Sequence, residues 1–105
     1  MLDIAAIEDL VEVPAAEVIT EAAVMLMNAS AEKLGLSPDG EPRLDLEEAR
    51  LLITALAGLV AASQEHLTAH REPLREGLKT LQNAFREASA HPDAPGEGPG
   101  EALVS

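Results

Sequence analysis

The chain has no cysteine, tryptophan or tyrosine, and a single phenylalanine, Phe85. Without thiols there are no disulfides, thiolate metal sites or cysteine nucleophile. Their absence is compatible with a reducing cytoplasm. Four isoleucines and six valines are too few and too scattered for a sheet. Basic residues are scarce as well, seven against nineteen acids, for a formal net charge of −12. Such a field repels phosphate backbones and anionic lipid, which argues against nucleic-acid and membrane-surface binding. The longest uncharged run, Leu51 to Gln64, is fourteen residues. A membrane span needs roughly 20. No positive region precedes an apolar core near Met1, so no signal peptide is expected. The chain reads as soluble and cytoplasmic.

What is present is alanine and leucine: nineteen and sixteen residues, a third of the 105. This composition suits helices that approach closely on alanine-rich faces. The length fits one small domain with a modest core. The acidity is uneven. Residues 1–50 hold twelve acids against Lys33, Arg43 and Arg50, and residues 51–105 hold seven against four bases. It serves solubility, or it attracts a basic protein partner.

Residues 1–13 read as an N-terminal arm or a short helix with Ile4, Ile7, Leu10 and Val11 on one side. The helical domain spans 14–89. Pro14 opens its first helix and Glu17 stands in the first turn. Lys33 lies in the last turn, and Gly35 supplies a left-handed cap, with Leu36 placed for the accompanying contact. At about 100° per residue, Glu17, Glu21, Asn28 and Glu32 share one stripe. Most of the remaining arc is apolar. A helix of that kind requires cover on more than one side.

Residues 37–44 are turn material, with Ser-Pro, Asp-Gly and a second proline. Asp45 then caps a second helix, with Glu48 three residues on as a capping box requires. Leu46, Ala49, Leu52, Ile53, Leu56, Ala57, Leu59 and Val60 form its broad apolar face. Behind it, Ala55, Gly58 and Ala62 line up beside Leu51, where they permit close approach of another backbone or simply form an alanine-rich surface. Ser63 to Glu72 is a break or a short extra turn, and Pro73 opens a third helix. Leu74, Leu78, Leu81 and Phe85 make one seam on it. Arg75, Lys79 and Arg86 form a basic edge that suits the glutamate stripe of the first helix. Residues 90–105 are rich in proline and glycine and read as a disordered tail.

Candidate chemistry is thin. His66 and His70 have the spacing that places two imidazoles on one helical face, with Glu65 nearby, but two ligands do not make a metal site. The tail fragment GEGPG neither follows a strand nor opens a helix, so it is no phosphate loop. No nucleophile motif surrounds the serines or threonines. The reading therefore assigns no enzyme activity, catalytic residue, cofactor or metal.

Three strings stand out: EVITEAAVMLMNASAEKLGL (Glu17 to Leu36), DLEEARLLITALAGLV (Asp45 to Val60) and PLREGLKTLQNAFREAS (Pro73 to Ser89). Together they resemble a family of short bacterial proteins, common in actinobacteria, known as domain of unknown function "eighteen forty-four". The resemblance covers roughly residues 14–100. It implies an all-helical cytosolic protein and brings no catalytic residues. Family members are often encoded near a translation initiation factor and ribosomal protein genes.

The expectation is thus an all-α bundle of three main helices, completed by oligomerisation. The expected interface residues are Ala23, Val24, Met27, Leu51, Ala55, Gly58 and Ala62, with a two-fold dimer the simplest assembly. The expected role is protein–protein contact or self-association. One alternative is an acidic accessory factor binding a basic protein of the translation apparatus. The other is a bundle that binds a small ligand or metal.

Overall fold

Pro14 and Gly35 bracket the first helix. The computed structural model of the chain describes residues 12–36 and 44–104, and helix α1 runs Ala15–Lys33. Pro14 is its N-cap rather than its first residue. The Pro14 carbonyl accepts from the Glu17 and Val18 N–H groups at 3.0 and 3.2 Å. At the other end Gly35 takes φ +74°. Its N–H donates to the Glu32 carbonyl at 3.0 Å, and the Leu36 N–H donates to the Ala31 carbonyl at 2.9 Å. This pair of bonds is a Schellman closure, which favours glycine at the left-handed position because no Cβ clashes there.

Helix α2 runs Leu46–Ser63, and the Asp45 side chain accepts from the Glu48 N–H at 3.2 Å. The reciprocal half of the expected capping box is replaced. The Asp45 N–H donates instead to the Lys33 carbonyl at 2.8 Å, next to an isolated antiparallel bridge between Leu34 and Leu44. These bonds tie the end of α1 to the start of α2. Among the described residues there is no strand, and the fold is all-α with three main helices, as composition and periodicity lead one to expect.

Helix α3 runs Arg71–Ala88 and buries the expected seam of Leu74, Leu78, Leu81 and Phe85. It begins two residues before Pro73. A proline fits there because first-turn N–H groups have no partner within the helix. The core joins this seam to Ala23 and Leu34 at α1, and to Ala49, Ile53, Leu56, Ala57 and Val60 of α2. Ser30, buried within α1, donates its hydroxyl to the Leu26 carbonyl at 2.7 Å, so no polar group is left unpaired there.

Residues 90–104 depart from the expectation of a disordered tail. They follow the bundle and end in a short helix, α4, Glu101–Val104, which packs on α2. The expectation counted apolar side chains, and few are present. The segment is held instead by polar groups of α3 and by close backbone approach to α2. The expected arm, residues 1–13, lies mostly outside the described residues, as does most of the 37–44 turn.

The link between α2 and α3 consists of two 3₁₀ turns, Gln64–His66 and Thr68–His70. Between them Leu67 has 0% exposure, so this stretch anchors the bundle as well as reversing the chain. Thr68 follows at φ +47°, a strained backbone for a β-branched residue. Leu67→Ala should cost about 2–4 kcal/mol in urea denaturation, as for other fully buried leucines. A loss under about 1 kcal/mol would show that the site is not part of the core. Thr68→Asn should raise stability by about 0.5–1 kcal/mol, because asparagine tolerates the left-handed region.

Candidate interaction surface

The seven residues expected at an interface do not share one surface. Ala23 has 0% exposure and belongs to the core. Met27 is half-buried and leans on α3, where its methyl group occupies the space that a Cβ on Gly77 would need. Both are therefore covered within the chain. The reason is that α3 presents a glycine at the level of Met27, which lets the two helices approach. Val24 lies one turn earlier on the same flank and remains 44% exposed. Gly58 is partly covered, with the Leu103 side chain of α4 3.9 Å from where its Cβ would stand. Leu51, Ala55 and Ala62 are exposed, as expected of an outward face.

Met27 leans on α3, and Leu26, on the other flank of α1, packs against the core. At about 100° per residue, Met25 stands about 160° from Ala23, and Leu51, Ala55 and Ala62 stand about 160–180° from the buried Ile53. Met25 is 70% exposed and Leu51 68% exposed. Ala22 is exposed between them, and Leu52 and Leu59 are half-buried on the α1 side of α2. The outer side of α2 is thus apolar beyond Glu47 and Glu48 at its start, while on α1 Met25 stands beside exposed Glu21 and Glu32, which lie about 160–180° from Ala23 as well. Of the expected interface residues, Leu51, Ala55, Ala62 and Val24 are exposed, and Ala23 is buried. Helical periodicity locates the flanks of α1 but not the neighbour that covers each.

Within the chain the basic edge of α3 does not meet the glutamate stripe of α1; an approach across a dimer is the other form of that expectation. Among the described residues the ion pairs are Arg50–Asp93 at 2.9 Å and Arg86–Glu101 at 2.7 Å. Arg75 donates to Gln64 Oε1 at 3.3 Å. Arg86 faces the segment after α3, so it is engaged there. Arg50 also stacks over the Phe85 ring, 4.9 Å from its centroid, a cation–π contact that joins α2 to α3. His66 and His70 are both exposed and lie in separate 3₁₀ turns. The regular helical face that their spacing suggested is not formed. Among the described residues no group of three or more His, Asp or Glu side chains converges as metal ligands do.

The Met27–Gly77 contact makes a quantitative prediction. Gly77→Ala gains up to about 1 kcal/mol of helix propensity but displaces the Met27 methyl group. In a Met27→Ala background the displacement cost disappears. A double-mutant cycle read by thermal or urea unfolding should give a coupling of at least about 0.5 kcal/mol. Strict additivity would show that the two residues are not in contact.

No curated protein and no solved structure shows significant similarity to the chain. Residues 15–87 match a family described as Domain of unknown function (DUF1844). The match takes in α1, α2 and all but the last residue of α3, and the chain therefore belongs to that family.

Proposed function

We propose that the protein is a non-enzymatic interaction module of the cytoplasm that self-associates through the outer side of α1 and α2, most simply as a two-fold dimer. The observation that carries this reading is the exposure of Met25 and Leu51 on adjoining helices. Ala22, Ala55 and Ala62 around them are small and exposed, so a second pair of helices can approach closely. Contiguous exposed apolar patches much above a few hundred Å² are unusual on soluble monomers. Two-fold symmetry covers such a patch with its own copy, because the same face serves both partners.

A second copy suits this surface better than a basic protein does. The acids are concentrated on the α1 half beside Met25, while the α2 half with Leu51, Ala55 and Ala62 is apolar. Those acids of two copies repel, so self-association should tighten as salt screens them. A basic partner of the translation apparatus, the second reading, would be held by those acids and would weaken with salt.

Light scattering at micromolar concentration should find a dimer. Leu51→Glu and Met25→Glu should each weaken association by about tenfold or more, since each replaces an apolar contact of the patch with a charge. Glu21→Gln, which removes an acid beside Met25, should leave association unchanged or slightly tighter. A monomeric intact chain across a range of salt would overturn the reading.

A further inference from the structure

The segment after α3 follows the groove between α2 and α3 with few apolar side chains to hold it. Gly98 and Pro99 are buried. The Pro99 carbonyl accepts from Nε2 of Gln82, itself a buried residue of α3, at 2.9 Å. Arg86 donates to both carboxylate oxygens of Glu101, at 3.0 and 2.7 Å, and also to the Asp93 carbonyl. The Gly96 N–H donates to Glu101 Oε1 at 3.2 Å. Gly100 has φ +71°, and a Cβ there would overlap the Ala57 methyl group of α2. The groove therefore recognises a carbonyl, a side-chain-free position and a carboxylate in succession. Those are the features of the string Gly98-Pro99-Gly100-Glu101.

Two observations indicate that this segment is a removable occupant. Its end is loosely seated, with Ala102 exposed and Leu103 51% exposed. Segments with few buried contacts open most readily. A cavity of about 380 Å³ also remains between it and α3, lined by Glu72, Arg75, Glu76, Lys79, Gln82 and Glu101 among others. Two exposed cations, Arg75 and Lys79, and two exposed acids, Glu72 and Glu76, thus stand next to space the segment does not use.

We propose that the α2–α3 groove is a peptide-binding site for a Gly-Pro-Gly-Glu turn, closed by the Glu101 N–H donating to the Gly98 carbonyl at 3.1 Å, filled in cis by residues 93–104 and, when that strap opens, by the same segment of a second copy. The glutamate seats on Arg86, the proline carbonyl on Gln82, and the second glycine on Ala57. This site is separate from the outer side of α1 and α2, and its strap is covalently tethered at Ala88. Tethering gives it a high effective concentration, so a free peptide competes poorly until the strap is weakened.

The test uses full-length chains and a fluorescent synthetic peptide of residues 91–105. The chain carrying Gly100→Ala, or Glu101→Gln as the gentler variant, has a weakened strap and an intact groove. Each should bind the peptide at least tenfold more tightly than the unmodified chain does. Adding Arg86→Ala to either variant, or placing Gly100→Ala in the peptide, should remove that gain. Met25→Glu on α1 should leave it unchanged, which separates this site from the self-association surface. Equal binding by modified and unmodified chains would overturn the proposal. So would peptide binding that is indifferent to Gly100→Ala in the peptide, or no binding to chains whose residues 94–104 show accelerated hydrogen exchange.

Discussion

Helix α2 is the element against which every other helix packs. Ala49, Ile53, Leu56 and Ala57 have 0% exposure and Val60 1%, although α1 and α3 alone leave one side of the helix uncovered. The remaining cover comes from Gly100 and α4, which lie over Ile53 and Ala57. Alanine at 57 and glycine at 100 set the spacing on that side, just as Met27 and Gly77 set it between α1 and α3. A chain with one aromatic residue fills its interior by bringing backbones close together rather than by filling space with large rings. Close backbones are sensitive to single methyl groups, because packed interiors have little free volume.

Two surfaces follow from this arrangement. On the outer side of α1 and α2 nothing within the described chain covers Met25, Leu51 or Ala55. On the other side of α2 the strap covers the groove to α3 by polar contacts, chiefly those of Gln82 and Arg86. The first surface is broad, with apolar residues beside the acids of α1. The second is narrow and lined by specific donors, and the chain fills it with a turn and a short helix. The net charge of −12 bears on both. It opposes the approach of two copies at low salt, while in the groove the cations of α3 stand among acids, Arg86 paired with Glu101.

The local features were legible in the sequence because their causes are local. Gly35 ends α1, Asp45 starts α2, and Leu74, Leu78, Leu81 and Phe85 line one side of α3. Each of these depends on residues within a turn or two. Relations between distant residues were not legible. Ala23, Val24 and Met27 share one arc of α1, yet Gly77 of α3, fifty residues beyond Met27, draws Met27 inward. Leu67 looked like part of a break, yet it closes the end of the core. Asp45 was expected to complete a capping box with Glu48, and the Lys33 carbonyl takes its N–H instead.

By itself the sequence determined that the chain is helical, where its three main helices begin and end within a few residues, and that no strand competes with them. Periodicity, caps and the shortage of β-branched residues act over short distances, so one linear string contains them. Only the tertiary structure decided which apolar flank stays uncovered and that residues 90–104 are held against the bundle. Both outcomes depend on how closely two backbones pass, at Gly77 and at Gly100, and on whether Gln82 and Arg86 find partners beyond the end of α3. Those are distances between residues far apart in the chain, and composition carries no record of them.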